Sequence, residues 1–416
     1  MSELYSIFKQ SAGVSTDTRT IKPGQMYFAL KGENFDGNRY ARQALEAGAV
    51  CAVVSEAGED IPGIIKVNDT LEALKALARE HRDALGIPVV GLTGTNGKTT
   101  TKELIREVLS AKFEVVATEG NLNNEIGVPL SVLKFRESTQ IGIIEMGASH
   151  PEDLRPLLEV AAPDFGLITN VGKAHLLGFG SFEGVKHAKG LLYDYLSSHG
   201  GRVFANTSDP VLTAMLADRG IADFEGYASA DAEVIPGETC LCFNLGHRTV
   251  RTNLVGAYNA ANVMAALCIG RYFGVEEDAA IRAVEAYVPS NKRSQLMKTG
   301  RNTLIVDAYN ANPSSMAVAL SNLELCAAPR AAVLGDMREL GEDSLAEHRG
   351  IVERLGAFEK VFLAGGEFTK AAEGRYPCFE TSEALAAYLL ENPLEGYTVL
   401  VKGSRGMEME KVISSL

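Results

Sequence analysis

The chain has 416 residues, too many for one ordinary domain, and 46% of them are hydrophobic, enough for two or three separate cores. Its 53 acidic and 40 basic residues leave a formal net charge of −13, which argues against general nucleic-acid binding, where a basic surface supplies most of the affinity. No apolar run approaches the roughly 20 residues that span a bilayer, MSELYSIFKQSAG lacks the apolar centre of a signal peptide, and six scattered cysteines show no metal-ligand spacing, so a cytoplasmic protein with reduced thiols is expected.

Residues 1–85 read as a small α/β unit. MYFAL, AVCAVV and GIIKV are short strands. DTLEALKALAREHRDALG is a helix, with Leu71, Leu74, Leu77 and Ala78 on one face and Asp69 and Glu72 at its start. GIPVVG then opens a buried strand and a second unit, residues 86–297, in which strands and helices alternate. IGIIEMG and FGLITNVG end in small and polar residues, as central parallel strands do. Cys240 and Cys242, in TCLCFNL, fit alternation along a strand better than zinc binding. In a third unit, 298–416, the strands of TLIVDAYN, AAVLGDM, KVFLAGG and TVLVKGS empty into polar loops at the edge where open α/β sheets bind ligands. The pattern predicts three α/β domains in series.

The stretch VVGLTGTNGKTTTKELI sets a glycine-rich loop between an apolar strand and a helix-like segment. A phosphate needs backbone N–H groups at close range, and Gly94 and Gly97 permit that approach, with Thr95 and Asn96 between them. The helix start adds the positive end of its dipole. Lys98 supplies a charge to the β- and γ-phosphates, and Thr99 or Thr100 a hydroxyl for Mg2+. The strict spacing would put a glycine at position 92, where this chain has Leu92, with Gly91 one place earlier. An incidental lysine after a glycine turn would not explain the strand, the helix and three consecutive threonines together, so a nucleotide site is expected.

The loop TGTNGKTT resembles that of the Mur ligase family, ATP-dependent enzymes that build the peptide stem of bacterial cell-wall precursors. EGNLNNEIGVPLSVL, IIEMGASHPEDL, ITNVGKAHLLGFGSFEGVKHAKG, GAYNAANVMAA, DAYNANPSSM, LGDMRELG and VKGSRGMEME follow in the family's order. STDTRTIKPGQMYFALKGENFDG matches near the N-terminus, so the resemblance spans essentially the whole chain. It implies a small N-terminal α/β domain for the UDP-muramoyl peptide (1–85), a central P-loop parallel-sheet domain for ATP (86–297) and a C-terminal Rossmann-like domain (298–416) that closes over the site. DAYNANP, LGDMRELG and GNLNNEIGVP look like the member that completes the stem. The implied reaction joins D-alanyl-D-alanine to UDP-N-acetylmuramoyl-tripeptide through an acyl phosphate. ATP, two Mg2+ ions and a monomer are implied, with no nucleic-acid or membrane partner.

The resemblance also implies residue roles. Thr99, Glu145, His175 and Lys189 would hold metal, and Lys189 would be carbamylated, although the acidic residue common two places on is Leu191 here. Lys98 and Arg293 would reach the transferred phosphate. Asn259 and Asn262 would close the nucleotide pocket or else cap the helix that starts there. Asp307, Tyr309, Asn310 and Asn312 crowd one loop suited to ribose or phosphate, with Pro313 placed to open a helix. Ser15, Asp17, Thr18 and Arg19 match the UDP-sugar motif, where a guanidinium forks onto oxygens. Asn121, Asn123 and Asn124 would touch the muramoyl peptide or else serve as turn residues. Asp336, Glu339, Lys402, Ser404 and Arg405 line two loops assigned to nucleotide and D-alanyl-D-alanine.

Three rival readings differ in what they require. The ligase that adds the third stem residue would need an anion-recognising arginine motif in the last domain and a histidine-containing loop where DAYNANP stands. Folylpolyglutamate synthetase lacks the N-terminal domain that STDTRTIKPGQMYFALKGENFDG indicates. A P-loop switch would need neither His175 nor Lys189.

Overall fold

The computed structural model describes residues 1–56, 61–289 and 295–416. The first domain carries four parallel strands in the order Val14–Ser15, Met26–Phe28, Cys51–Val54, Ile64–Lys66. Its helix Thr70–Leu85 begins where the Asp69 carboxylate accepts the N–H groups of Leu71 and Glu72, and stops at left-handed Gly86. Leu74, Leu77 and Ala78 are buried as their spacing predicts, whereas Leu71 is only half-buried. His81 and Arg82 are buried too, and polarity hid them from the apolar pattern. Arg82 crosses to the second domain, donating to the carbonyls of Ala161 (3.2 Å) and Ala162 (2.9 Å) and to Asp164 Oδ2 (2.7 Å). Around it, Tyr5, Phe8, Leu74 and Leu77 share one core with Val132, Phe135 and Leu158 of the second domain.

The second domain is built on six parallel strands in the order Glu225–Tyr227, Arg202–Asn206, Phe165–Ile168, Val89–Thr93, Ile141–Glu145, Val115–Ala117. Val89–Thr93 comes first in the chain yet lies inside the sheet, with later strands added on both sides. That reversal opens a crevice beyond its carboxyl end. The register aligns Leu92 with Glu145 and Thr93 with Ile168, so the glycine loop emerges beside the end of the Glu145 strand.

The expected alternation is interrupted by an antiparallel sheet, Glu233–Val234, Cys240–Leu245 and Arg248–Val255, whose Phe243, Val250 and Leu254 join the core under the helix Lys98–Ser110. Cys240 and Cys242 sit in one of its strands as free thiols.

The third domain has strands in the order Gln295–Lys298, Thr303–Asp307, Thr398–Lys402, Arg330–Gly335, Lys360–Ala364, Cys378–Phe379, with all neighbours parallel except the first pair. Its sheet thus begins at Gln295, three residues inside the stretch expected for the central domain. That antiparallel edge strand is too short for its sequence to announce. Among the described residues no helix is long and apolar enough to cross a membrane.

Arg82 joins two domains through one buried guanidinium. Arg82→Met should lower the unfolding free energy by about 2–3 kcal/mol, because two carbonyls lose the guanidinium donor and Asp164 is left with the Val89 N–H. Arg155→Ala, which breaks an exposed pair with Glu152, should leave the midpoint nearly unchanged. Urea denaturation of the two variants checks this, and equal midpoints would contradict it.

Candidate active site

The glycine loop is held by sterics and by its neighbours. Gly94 has φ 147° and Gly97 φ 77°. A Cβ on Gly94 would fall 2.0 Å from Thr169 Oγ1, and one on Gly97 would fall 2.7 Å from Asn262 Oδ1. The Thr95 N–H donates to Asn170 O (3.0 Å), the Asn96 N–H to Asn170 Oδ1 (3.0 Å), and the Thr169 hydroxyl to Asn96 O (2.7 Å). Lys98 folds across the loop and donates to the carbonyls of Gly94 (2.7 Å) and Thr95 (3.1 Å). Leu92, where the strict pattern has glycine, is a fully buried strand residue, so the turn starts at Gly94 instead.

Glu145 ends its strand with 1% of its surface exposed. The Thr99 hydroxyl donates to its Oε2 (3.0 Å) and the Asn123 amide to its Oε1 (2.9 Å). Lys102 Nζ stands 3.9 Å from Oε2 and donates to Thr118 O at 2.5 Å. Asn123, expected on the muramoyl peptide, therefore spends its amide on the carboxylate. Lys102 is fully buried and was missed by the sequence reading, although it follows Lys98 by one helical turn.

His175 has a left-handed backbone (φ 49°), and its Nδ1 pairs with Glu339 Oε2 from the third domain. Burial lowers the imidazole pKa, Lys98 and Lys189 lower it further, and Glu339 opposes them. Lys189, on the helix Phe182–Ser198, is buried behind the cavity wall. Its Nζ donates to Ala148 O at 3.3 Å and lies 5.5 Å from the Phe179 ring centre. Burial pushes its pKa well below the usual lysine range, with the Lys98 charge acting the same way and Asp153 against it. Leu191, at the position where an acid is common, packs into the core.

The third domain reaches this site directly. Asn312 caps the helix Pro313–Leu325, with Pro313 in its first turn, and its amide donates to Asn96 Oδ1 at 2.9 Å. Lys402 Nζ pairs with Asp307 (2.5 Å) and donates to Asn310 O (3.1 Å). Asn262 accepts from the Thr101 hydroxyl (3.0 Å) and donates to Asn259, whose amide bonds Val255 O (2.8 Å). Neither asparagine caps the helix Asn259–Tyr272, whose N-cap is Tyr258.

Between the domains lies a cavity of about 900 Å³. Its lining includes Thr95–Lys98, Thr100, Asn123, Asn124, Glu145, His175, Asn259, Asn262, Asp307, Tyr309, Asn310, Asn312 and Lys402. Asn206, Asp209 and Tyr258 also line it, unforeseen. Asn206 could have been found, because it ends the apolar strand Arg202–Asn206 at the same edge.

Other expected residues lie elsewhere. Asp336 does not line the cavity: its carboxylate accepts the N–H groups of Glu367 (3.0 Å) and Phe368 (2.8 Å) at the start of a helix. Ser404 donates to Ala311 O and accepts from the Arg338 N–H. The Arg405 guanidinium sits 5.8 Å over the Tyr309 ring and pairs with Glu410. Asn121 is an exposed turn residue, and Asn124 lines the cavity while its Oδ1 accepts the Gly127 N–H (2.9 Å) at the start of the helix Gly127–Val132. Ser15, Asp17, Thr18 and Arg19 lie in the first domain outside this cavity. There Asp17 pairs with Arg19 at 2.6 Å, whose hydrogen bonds pull its pKa down to about 2. Arg293 lies outside the described residues.

The depressed Lys189 pKa fixes the sign of a pH effect. Between that value and the unfolded value of about 10.4 the unfolded chain binds more protons, so stability rises with pH across that window. Lys189→Met should remove this dependence. Its stability advantage over the parent protein should shrink as pH rises from about 7 to 9.5. A pH-independent difference in urea denaturation would contradict the assignment.

Comparison with known proteins agrees with the three-domain fold. Profiles described as "Mur ligase family, catalytic domain", "Mur ligase middle domain" and "Mur ligase, glutamate ligase domain" match residues 10–82, 92–270 and 292–405. The UDP-N-acetylmuramoyl-tripeptide–D-alanyl-D-alanine ligase of Bacillus subtilis is 34% identical over 424 residues, covering 97% of this chain and 93% of that protein. A crystal structure of MurF from Acinetobacter baumannii superposes with TM-score 0.88 at 28% identity, covering 97% of this chain and 92% of that one. MurF ligase from Thermotoga maritima in complex with ADP superposes with TM-score 0.87 at 26% identity, covering 100% and 98%. With all three of its domains matched in order, this chain belongs to the Mur ligase family.

Proposed function

We propose that this protein joins D-alanyl-D-alanine to UDP-N-acetylmuramoyl-tripeptide, driven by ATP, to give the UDP-muramoyl-pentapeptide precursor of peptidoglycan. One observation carries the chemistry: the glycine loop, Lys98 and Glu145 lie side by side in the wall of one cavity, to which the third domain is tied by Asn312 on Asn96. The end-to-end likeness to D-alanyl-D-alanine ligases selects the substrates and displaces the alternative of a third-residue ligase.

The loop N–H groups would cradle the β- and γ-phosphates of ATP, and Lys98 would exchange two loop carbonyls for phosphate oxygens. An oxygen of the tripeptide carboxylate attacks the γ-phosphorus, the bond to the β-phosphate oxygen breaks, and ADP leaves. The amine of D-alanyl-D-alanine then attacks the acyl carbon, phosphate departs, and the nitrogen loses its proton as the amide forms. Catalysis therefore rests on cations and alignment. Closure by the third domain would keep water from the acyl phosphate. Arg293 keeps its assignment to the γ-phosphate by resemblance.

Thr99 and Glu145 offer a hydroxyl and a carboxylate, oxygen ligands of the kind Mg2+ takes. Among the described residues no group of three or more His, Cys, Asp or Glu side chains could hold a metal, so phosphate oxygens and water would complete the shell. His175 and Lys189 would serve a second ion. The depressed pKa of Lys189 fits carbamylation, in which its neutral Nζ bonds the carbon of CO2, loses a proton and becomes an oxygen ligand. Bound Mg2+ would neutralise the triphosphate and the attacking carboxylate. Residues 1–85, with Ser15, Asp17, Thr18 and Arg19, would hold the UDP end, 86–297 would bind ATP, and 298–416 would bring Asp307, Tyr309, Lys402 and Arg405 to nucleotide and dipeptide. The protein would act as a monomer in the cytoplasm.

Phosphate release from ATP, measured with each substrate omitted in turn, should require both UDP-muramoyl-tripeptide and D-alanyl-D-alanine and yield pentapeptide. Release with UDP-muramoyl-dipeptide and a third-position amino acid instead would move the protein one step earlier. Lys98→Ala should lower kcat at least about 100-fold. Gly94→Ala should abolish ADP binding in calorimetry, because its methyl group collides with Thr169.

A further inference from the structure

Glu339 was expected on a substrate, yet it meets His175. The two residues come from different domains, and both hold left-handed backbones, φ 66° for Glu339 and φ 49° for His175. A left-handed non-glycine residue is uncommon and persists only where its surroundings enforce it. For Glu339 those surroundings are visible. The Arg338 N–H is held by Ser404 Oγ (2.8 Å) and the Met337 N–H by His348 Nε2 (3.0 Å). Met337 and Leu340 are buried on either side, and Asp336 is locked onto a helix start. The loop is thus pinned at both ends, and Glu339 is the residue it projects.

The contact is also specific to one ring atom. Glu339 Oε2 pairs with Nδ1 of His175, so a ligand role would fall to the opposite nitrogen, Nε2. His175 lines the cavity, and its ring meets Phe179 edge-on, the same ring that Lys189 Nζ faces at 5.5 Å. A carboxylate on one imidazole nitrogen sets the tautomer, orients the ring and raises the basicity of the other nitrogen, the arrangement that metal-binding histidines commonly use.

The geometry points to Glu339 as a positioning residue that fixes His175 for metal binding only when the third domain is docked, so that domain closure completes the second metal site. This inference rests on the proposed metal role of His175. It gives LGDMRELG a role in assembling the site: Asp336 and Ser404 brace the loop, and Glu339 delivers the carboxylate. A second interdomain pair, Lys173 with Glu347 at 2.9 Å, touches the same segment of the central domain and provides the control for a mere clasp.

The test uses the full chain with two readouts. In the metal-free protein, nitrogen-15 NMR of the His175 ring should show the proton on Nδ1. Glu339→Ala should lose that preference, and Glu339→Gln, which keeps an acceptor, should retain part of it. With ADP present, Mn2+ binding followed by electron paramagnetic resonance should weaken about 10-fold in Glu339→Ala and less in Glu339→Gln. Glu347→Ala should leave both readouts unchanged. An unaltered tautomer and Mn2+ affinity in Glu339→Ala, or an equal loss in Glu347→Ala, would overturn the positioning role. Unchanged Mn2+ affinity in His175→Ala would instead remove its premise, the metal role of His175, whatever the tautomer shows.

Discussion

Burying the Glu145 carboxylate is the constraint around which the site is arranged. A carboxylate taken out of water must receive hydrogen bonds or a counter-charge. Here the donors are the Thr99 hydroxyl, from the helix that follows the glycine loop, and the Asn123 amide, from a separate turn, with the Lys102 ammonium one helical turn further on as a counter-charge at 3.9 Å. Each donor fixes its own segment in return. The phosphate loop, the Asn123 turn and the Glu145 strand are thereby tied together at one sheet edge. That edge points at the cavity because the strand order reverses there.

A second level of organisation joins the domains. The first and second are fused through a shared apolar core and the buried Arg82 guanidinium. The second and third also share apolar packing, since Val255 and Cys240 of the second sit against the core of the third. Around the cavity they meet through polar contacts, Asn312 on Asn96, Lys173 with Glu347 and His175 with Glu339. Such contacts can exchange with water at small net cost. These three fall on the glycine loop or on the segment that carries His175, so the docked third domain and the site share the same contacts.

Much of the site was legible in the primary structure. Gly94, Gly97, Lys98 and Thr99 were readable because phosphate binding is a local property of a strand, a turn and a helix start. Glu145 was readable as the polar end of an apolar strand. Asn206 obeyed the same rule and was passed over. Asn123, Asp336 and Ser404 were assigned to substrate because a polar residue in a loop looks the same whether it faces a ligand, a carboxylate or a helix end. Lys102 was invisible for the opposite reason, since a lysine on a helix normally reads as solvated surface and only the sheet behind it shows that it is buried.

Sequence by itself therefore determined the three α/β units, the phosphate loop and the family. These depend on short-range spacing: apolar period, turn glycines and motif order. The tertiary structure alone decided which polar groups meet. Asn123 and Glu145, Asn96 and Asn312, and His175 and Glu339 are far apart along the chain, and their contacts follow from strand register, a pinned loop and domain docking. No local pattern encodes the distance between two loops on different sheets, so the residues that hold the site together are the ones the chain keeps hidden until it folds.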